Sequence, residues 1–170
     1  MRETDGHGPV ERLAEGMTRT LRVIAFAMGN GIALLSAISI YFYWRSAVAA
    51  PTPQSLKLVN MLTVLSMAAS FAAIVVSEIA WKKILTRAVA EDVNAKTQGA
   101  FIVRAALREC AALAGTVTFF LACQDGVLRA YPAYWVDLAP AALFWSFLYL
   151  HWPSLENLKV EIAEIVSKAS

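Results

Sequence analysis

Four charged residues lie near the ends of two apolar stretches of this chain: Glu78, Arg104, Arg108 and Glu109. Ionisable side chains inside a membrane are costly and are typical of functional sites. Glu109 comes one residue after Arg108, and Glu78 closes the other apolar stretch. If the two stretches are antiparallel helices, both acids lie about one turn inside the same membrane edge. We therefore predict a semi-buried charged cluster that binds an ion, a proton, a lipid headgroup or a partner.

A structural role explains the same four residues as well. Arginine side chains near the end of a membrane helix extend to the interface, where they would neutralise the two acids and fix the register of the helices. Glu109 also shares a helix face with Ala105 and Ala112, small residues that let another helix approach closely. The sequence leaves both interpretations open.

The patterns of known catalytic and metal sites are missing from the sequence. His7 and His151 lie in the N-terminal tail and at a helix end, so they cannot assemble a metal or haem site. Cys110 and Cys123 are 13 residues apart on one predicted helix, too far to pair with each other. A CxxC motif, a glycine-rich phosphate loop and a nucleophile with its base are also missing. We expect no catalytic residue, no metal and no cofactor, and hence a protein that is not an enzyme.

The distribution of charge predicts the helices that position these residues. The chain is 58% apolar and 16% charged, whereas a soluble domain has about 45–50% and 25%. Four stretches are long enough to cross about 30 Å of hydrocarbon, and we predict membrane spans at residues 22–45, 57–81, 101–124 and 133–152. In the third, the uncharged run from Cys110 to Cys123 has only 14 residues, so it spans only if the turns that carry Arg104 and Arg108 also enter the membrane.

We therefore predict an all-α fold, an integral membrane four-helix bundle in which residues 1–170 form a single membrane domain. Twelve of the 15 lysines and arginines lie in the two tails, in the connection between the second and third spans, or in the first turns of the spans next to them. The positive-inside rule places these segments, including both termini, in the cytoplasm. The first apolar run is longer than the ~7–15 residues of a cleaved signal peptide, so we expect a retained span. No basic cluster is interleaved with exposed aromatic residues, and we expect no nucleic-acid partner.

The segments outside the spans carry three further predictions. Residues 82–100 form a helical cytoplasmic connection with its turn near residues 94–99. Residues 154–169 form a C-terminal amphipathic helix, capped by Ser154, whose apolar stripe packs on protein. At the opposite membrane edge, Asp125, Arg129 and Asp137 form a solvated rim.

Two positions inside the spans are irregular. Asn30, between two glycines in the first span, is expected to form a hydrogen bond to another helix. Pro140 is expected to kink the fourth helix.

Two segments of the chain, from Thr97 to Gly115 and from the fourth apolar stretch to Leu158, have a recognisable pattern. Ala106 to Gly115 reads Ala-Leu-x-Glu-x-x-Ala-Leu-x-Gly, and Pro153 to Leu158 reads Pro-Ser-x-Glu-x-Leu. In both, the chain resembles uncharacterised small bacterial membrane proteins, which implies a multi-pass membrane protein without an assigned activity.

The pattern in the third span is also similar to the C-terminal helix of rotary ATPase c subunits. This resemblance implies that Glu109 would carry the translocated proton or sodium ion. The chain departs from that family because it lacks a glycine-rich first helix and an Arg-Gln-Pro loop, and because Arg104 and Arg108 lie near the carboxylate. An arginine so close would hold the acid ionised, the wrong state for a proton carrier.

The preferred function is that of a non-enzymatic accessory, scaffold or assembly subunit of a bacterial inner (plasma) membrane. Its partners would be the lipid bilayer and either itself or a larger membrane complex. The alternative is a small proton- or ion-translocating component that uses Glu109 and Glu78. A third interpretation, a lipid-binding or lipid-modifying protein, requires a headgroup pocket beside Arg104 and Arg108. A transporter should have a water-lined path to the acids, whereas a scaffold should bury them in ion pairs.

Overall fold

The computed structural model describes residues 9–45, 50–85, 93–154 and 156. The elements, in chain order, are α1 Pro9–Arg45, α2 Pro53–Leu85, α3 Val93–Gln124, the short α4 Val127–Ala130, a 3₁₀ helix Pro132–Leu138 and α5 Ala139–Leu150. This part of the chain contains no strand. The predicted all-α fold is thus confirmed.

Four helical segments are long and apolar enough to cross a membrane: Glu15–Arg45, Pro53–Ile84, Ala95–Gln124 and Pro132–Leu150. Each apolar stretch leaves more than half of its residues unburied, and in α2 only 17% are buried. Apolar surface of this extent has to face something other than water. These observations suggest a multi-pass membrane protein.

Helix α3 is the centre of the fold, because it packs against α1, α2 and α5, whereas α2 and α5 touch each other only slightly. It is also the most buried of the four segments, with 44% of its apolar stretch buried. Small residues on α3 such as Ala105 and Ala112 are buried in the core shared with α1 and α5, and their size lets the neighbouring helices come close. On α1 this core includes Leu21 and Ile32, and on α5 it includes Phe144.

The connection between α2 and α3 differs from the prediction. Helix α2 ends at Leu85 and α3 begins at Val93, so residues 94–99 are helical and the predicted turn near them is wrong. The mostly polar residues of this stretch continue the first turns of α3 instead of breaking it. Residues 86–92 and the predicted C-terminal helix over 154–169 lie outside the described residues, apart from its first positions.

The fourth span also differs from the prediction of one kinked helix. Its first seven residues form the 3₁₀ helix and the next twelve form α5, so Pro140 lies in the first turn of α5. There its missing N–H removes no intrahelical hydrogen bond. At about 2.0 Å per residue for the 3₁₀ part and 1.5 Å for the α part, the two together reach about 32 Å.

Helix α3 approaches the fourth span closely at Gly115. A Cβ atom at this position would lie 2.6 Å from the backbone oxygen of Asp137 and 2.9 Å from Cγ of Pro140. Backbone and a proline ring cannot move aside easily, so only glycine fits here. At Gly31 of α1, in contrast, an added Cβ would meet no atom within 4 Å.

We predict that Gly115→Ala destabilises the protein, because the added methyl group forces α3 away from the break between the 3₁₀ helix and α5. Overpacking of this kind costs about 1–3 kcal/mol. The measurement is the midpoint of thermal unfolding in detergent. The matched control, Gly16→Ala on α1, adds the same group where no other atom lies within 4 Å and should not lower the midpoint. Equal midpoints for the two variants would contradict the close approach at Gly115.

Candidate functional site

Glu78 of α2 forms ion pairs with both arginines of α3. Its Oε1 atom accepts hydrogen bonds from Nε and Nη2 of Arg104, at 3.0 and 2.5 Å, and from Nη2 of Arg108 at 2.6 Å. Arg108 also donates from Nε to the hydroxyl of Ser77, at 3.1 Å. Because Arg104 and Arg108 are four residues apart on α3, they lie on one face of that helix and can reach the same carboxylate.

Aromatic rings cover the two guanidinium groups. The guanidinium carbon of Arg108 lies 4.2 Å from the ring centroid of Phe147 on α5, and that of Arg104 lies 5.2 Å from the same ring. Arg104 is also 5.1 Å from the ring of Trp81. Cation–π contacts of this type are strongest where water is excluded. The cluster therefore joins α2, α3 and α5 at one end of the bundle.

His151 completes the cluster just after α5 ends. Its ring stacks on Phe147 with the centroids 4.9 Å apart, and its Nε2 atom lies 3.5 Å from Nη2 of Arg104. Burial, followed by the positive charges of Arg104 and Arg108, lowers the pKa of His151 below 6.5, although the backbone of Phe147 and the charge of Glu78 act in the other direction. The imidazole is therefore neutral at neutral pH.

Two positive charges and one negative charge meet in this cluster, so it carries a net positive charge. Arg104 is 8% exposed, and the side chain of Glu78 is 36% exposed. All three hydrogen bonds fall on Oε1 of Glu78. The Nη1 groups of both arginines donate no hydrogen bond to another described residue. The cluster thus keeps donors and positive charge available beyond what Glu78 neutralises.

Glu109 stands apart from the other three predicted site residues. It is half-buried on α3, and it forms no ion pair or hydrogen bond within the described part of the chain. Its neighbours along the helix face, Ala105 and Ala112, pack in the core with α1 and α5, away from Glu78. The predicted cluster of four is therefore a cluster of Glu78, Arg104 and Arg108, and Glu109 is separate.

Several members of the cluster were not predicted from the sequence. Trp81 follows Glu78 by one helical turn, so its position on α2 already placed it near the carboxylate. Ser77 is adjacent to Glu78 in sequence, which by itself does not indicate that the two face the same way. The contact of Phe147 with the arginines could not be predicted, because nothing in the sequence distinguishes Phe147 from the other aromatic residues of its span. His151 was expected only at a helix end.

At the other end of the bundle, the structure contradicts the predicted solvated rim. Asp137 is completely buried, with Oδ2 accepting a 3.2 Å hydrogen bond from the hydroxyl of Thr63 and Oδ1 lacking any partner in the described structure. One turn earlier in the 3₁₀ helix, the buried Tyr134 donates to the side-chain oxygen of Asn60 at 2.5 Å. Two polar pairs thus connect the 3₁₀ helix to α2.

Arg129 is also engaged with protein at this end. It donates to the carbonyl oxygens of Tyr43 and Trp44, and its guanidinium carbon lies 5.2 Å from the ring centroid of Tyr43. Carbonyl groups in the last turn of a helix lack partners within that helix, so Arg129 satisfies the end of α1.

Asn30 forms no hydrogen bond with another described residue, so the predicted bond to another helix within the bundle is wrong. Its side chain is exposed on α1. Of its two glycine neighbours, only Gly29 packs closely, where an added Cβ would lie 2.9 Å from the Trp145 ring.

No family model, no curated protein and no solved structure matches this chain. Within the described residues there is also no group of three or more His, Cys, Asp or Glu side chains that could hold a metal ion.

We predict that Glu78→Gln destabilises the protein more than Glu109→Gln. The first change leaves two neighbouring guanidinium groups without their counter-charge, and we expect a loss of about 1–2 kcal/mol for a partly exposed charged network. The second change removes a carboxylate without a described partner. Thermal unfolding of the two variants in detergent measures the difference. A larger loss for Glu109→Gln would show that Glu109 has the structural role.

We also predict that acid destabilises the protein through His151. The pKa of His151 is lower in the folded chain than its ordinary value of 6.5, so the unfolded chain binds the proton more readily. The stabilising contribution is present above pH 6.5 and is lost as the pH falls through the folded-state pKa. The measurement is the unfolding midpoint at neutral and acidic pH, and His151→Gln should make the decrease smaller. An unchanged decrease in that variant would contradict the role of His151.

Proposed function

We propose that this chain is a non-enzymatic accessory, scaffold or assembly subunit of a bacterial inner membrane, and that it acts through contacts with itself or with a larger membrane complex. Four helices with the length and composition of membrane spans support an integral location. The excess of lysine and arginine in the two tails and in the α2–α3 connection favours a cytoplasmic position for these segments.

The exposed amide of Asn30 is the observation that carries this proposal. Asn30 lies in the middle of the apolar segment Glu15–Arg45, on an exposed face with Phe26 and Leu34. In hydrocarbon, an amide without a hydrogen-bond partner costs several kilocalories per mole. A side chain from another transmembrane helix would remove this cost.

The residues around Asn30 favour such a contact. Ala27 and Gly31 are also exposed and lie four residues apart on the same face. Small residues at this spacing let two helices approach closely in a membrane. The amide both donates and accepts hydrogen bonds, so it suits a second copy of α1 as well as a polar group of another protein.

The use of charge inside the bundle supports the same proposal. Glu78 is held by two arginines, which is what a structural role requires and what a freely exchanging ion site would avoid. The ion pairs join helices of one chain, and the outer faces of α1 and α2 are mostly apolar, with the amide of Asn30 an exception on α1. Exposed residues such as Phe71 and Ile79 of α2 extend this surface.

Photo-cross-linking of the full chain in its native membrane tests the proposal. A photoreactive residue at Ala27 should form an adduct with a second copy or with one other identified membrane protein, because it lies beside Asn30. Asn30→Leu should reduce this adduct several-fold. A photoreactive residue at Met61, exposed on α2, is the positional control and should give lipid adducts. If Ala27 also gives only lipid adducts, the proposal is wrong.

A second candidate function, translocation of protons or other ions, is favoured by Glu109. This half-buried acid lies inside the candidate span Ala95–Gln124 without an ion pair among the described residues. Ion flux in vesicles that contain the purified protein distinguishes the two functions. Flux that disappears in Glu109→Gln, and persists in a variant of an exposed acid such as Glu15→Gln, would overturn the accessory role. Flux no greater than in empty vesicles would exclude translocation.

A further inference from the structure

A cavity opens beside the arginine cluster, between α2, α3 and α5. Its volume is about 60 Å³. Residues of its wall are Ser70, Ala73 and Ile74 of α2, Arg108 of α3, and Leu143 and Phe144 of α5. Arg108 is therefore a charged end of an otherwise mostly apolar space. From there the cavity extends along α2 towards Ser70, eight residues before Glu78, which is about 12 Å along the helix axis.

This cavity is part of a groove that faces the surroundings of the bundle. Both α2 and α5 pack on α3 but touch each other only slightly, so α3 forms the floor of a groove between them. Leu143 on the rim is 53% exposed. In a bilayer, a groove with apolar walls at this depth is filled by hydrocarbon chains.

The charged end of the groove suits a phosphate. Arg104 and Arg108 share one carboxylate, so the cluster has a positive charge to spare, and the neutral His151 adds none. The Nη1 groups of both arginines remain without a described acceptor. Guanidinium groups bind phosphate through paired hydrogen bonds. Net positive charge also favours a lipid with net negative charge over a zwitterionic lipid, whose own ammonium group already balances its phosphate.

The depth of the cluster agrees with the position of a lipid headgroup. Glu78 lies six residues before the end of the candidate span Pro53–Ile84, about 9 Å along the helix. A phosphate at this level would continue into an acyl chain that runs towards the bilayer centre, which is the direction of the apolar cavity. Basic pockets between transmembrane helices are known to bind anionic headgroups in this way.

We propose that the groove between α2 and α5 binds one anionic phospholipid of the surrounding membrane. Its phosphate lies at Arg104 and Arg108, and one acyl chain lies along Ile74, Leu143 and Phe144. The acyl chain distinguishes this ligand from free phosphate, because an inorganic anion would leave the apolar cavity empty. The lipid site does not depend on Asn30 or on a protein partner, so it stands separately from the accessory role.

Native mass spectrometry of the full chain, released from detergent with added lipid, tests this site. The probes are phosphatidylglycerol, phosphatidylethanolamine of the same chain length, and inorganic phosphate. Phosphatidylglycerol should bind with one molecule per chain and more tightly than the zwitterionic lipid. Arg108→Gln should weaken its binding about tenfold, the effect of losing one charge-assisted hydrogen bond.

Two further variants separate a specific site from general effects. Lys82→Gln removes an exposed positive charge from the same end of α2 and should change the affinity less than about twofold, because it tests only the local surface potential. Ala73→Leu fills the apolar cavity and leaves the ion pairs intact. It should weaken the binding of the phospholipid, and it remains informative if Arg108→Gln fails to fold.

Three results would overturn the proposal. The first is equal affinity for phosphatidylglycerol and phosphatidylethanolamine. The second is binding of inorganic phosphate as tight as that of the lipid, which would indicate an anion site without a chain-binding groove. The third is an equal loss of affinity in Lys82→Gln and Arg108→Gln.

Discussion

The ion pairs of Glu78 with Arg104 and Arg108 allow two charged residues to lie within the long, mostly apolar helix α3. An unpaired arginine in apolar surroundings is costly, and α3 carries two arginines before its uncharged run begins. The carboxylate from α2, the hydroxyl of Ser77 and the ring of Phe147 replace the water that these groups would otherwise need. Charged residues with good geometry and additional hydrogen bonds offset most of the cost of their burial. Because these charges are compensated, α3 can include the turns that carry both arginines as well as its short uncharged run.

The position of α3 determines the position of the other helices. Its arginine face holds α2 and, through Phe147, the end of α5, while its alanine face packs in the core with α1. At the opposite end, Gly115 brings α3 into contact with the start of α5. Helix α2 is fixed at both ends, by Glu78 on one side and by Asn60 and Thr63 on the other. Helix α1 contributes mainly apolar contacts and keeps one face free.

Sequence reasoning was sufficient for the helical fold and for the pairing of one acid with two arginines. Long uncharged runs have few alternatives to a helix, and a buried charge needs a counter-charge, so composition alone constrains both. It was not sufficient for Glu109. Adjacent residues on a helix differ by about 100° in direction, and only the rotation of α3 against α2 decides which of two neighbouring residues faces Glu78. The spacing of residues along one helix gives no information about how that helix is rotated against its neighbour.

The burial of Asp137 and the split of the fourth span escaped prediction for a related reason. The hydroxyl that pairs with Asp137 belongs to Thr63 of α2, 74 residues earlier in the chain. No pattern in the sequence near Asp137 predicts this contact. The backbone there adopts a 3₁₀ helix, in which residues three apart lie directly above one another. Tyr134 and Asp137 therefore face the same way and meet Asn60 and Thr63, which are also three residues apart.

The 3₁₀ helix also affects which side chains face the bundle at the far end of the fourth span. Seven residues at three per turn advance the chain about 140° further around its axis than seven residues of α-helix would. This extra rotation changes the direction in which each side chain of α5 points around the helix axis. Phe147 faces the two guanidinium groups because the winding nearly ten residues earlier is tighter. A local hydrogen-bonding pattern at one end of the bundle thus helps to decide which ring covers the charges at the other end.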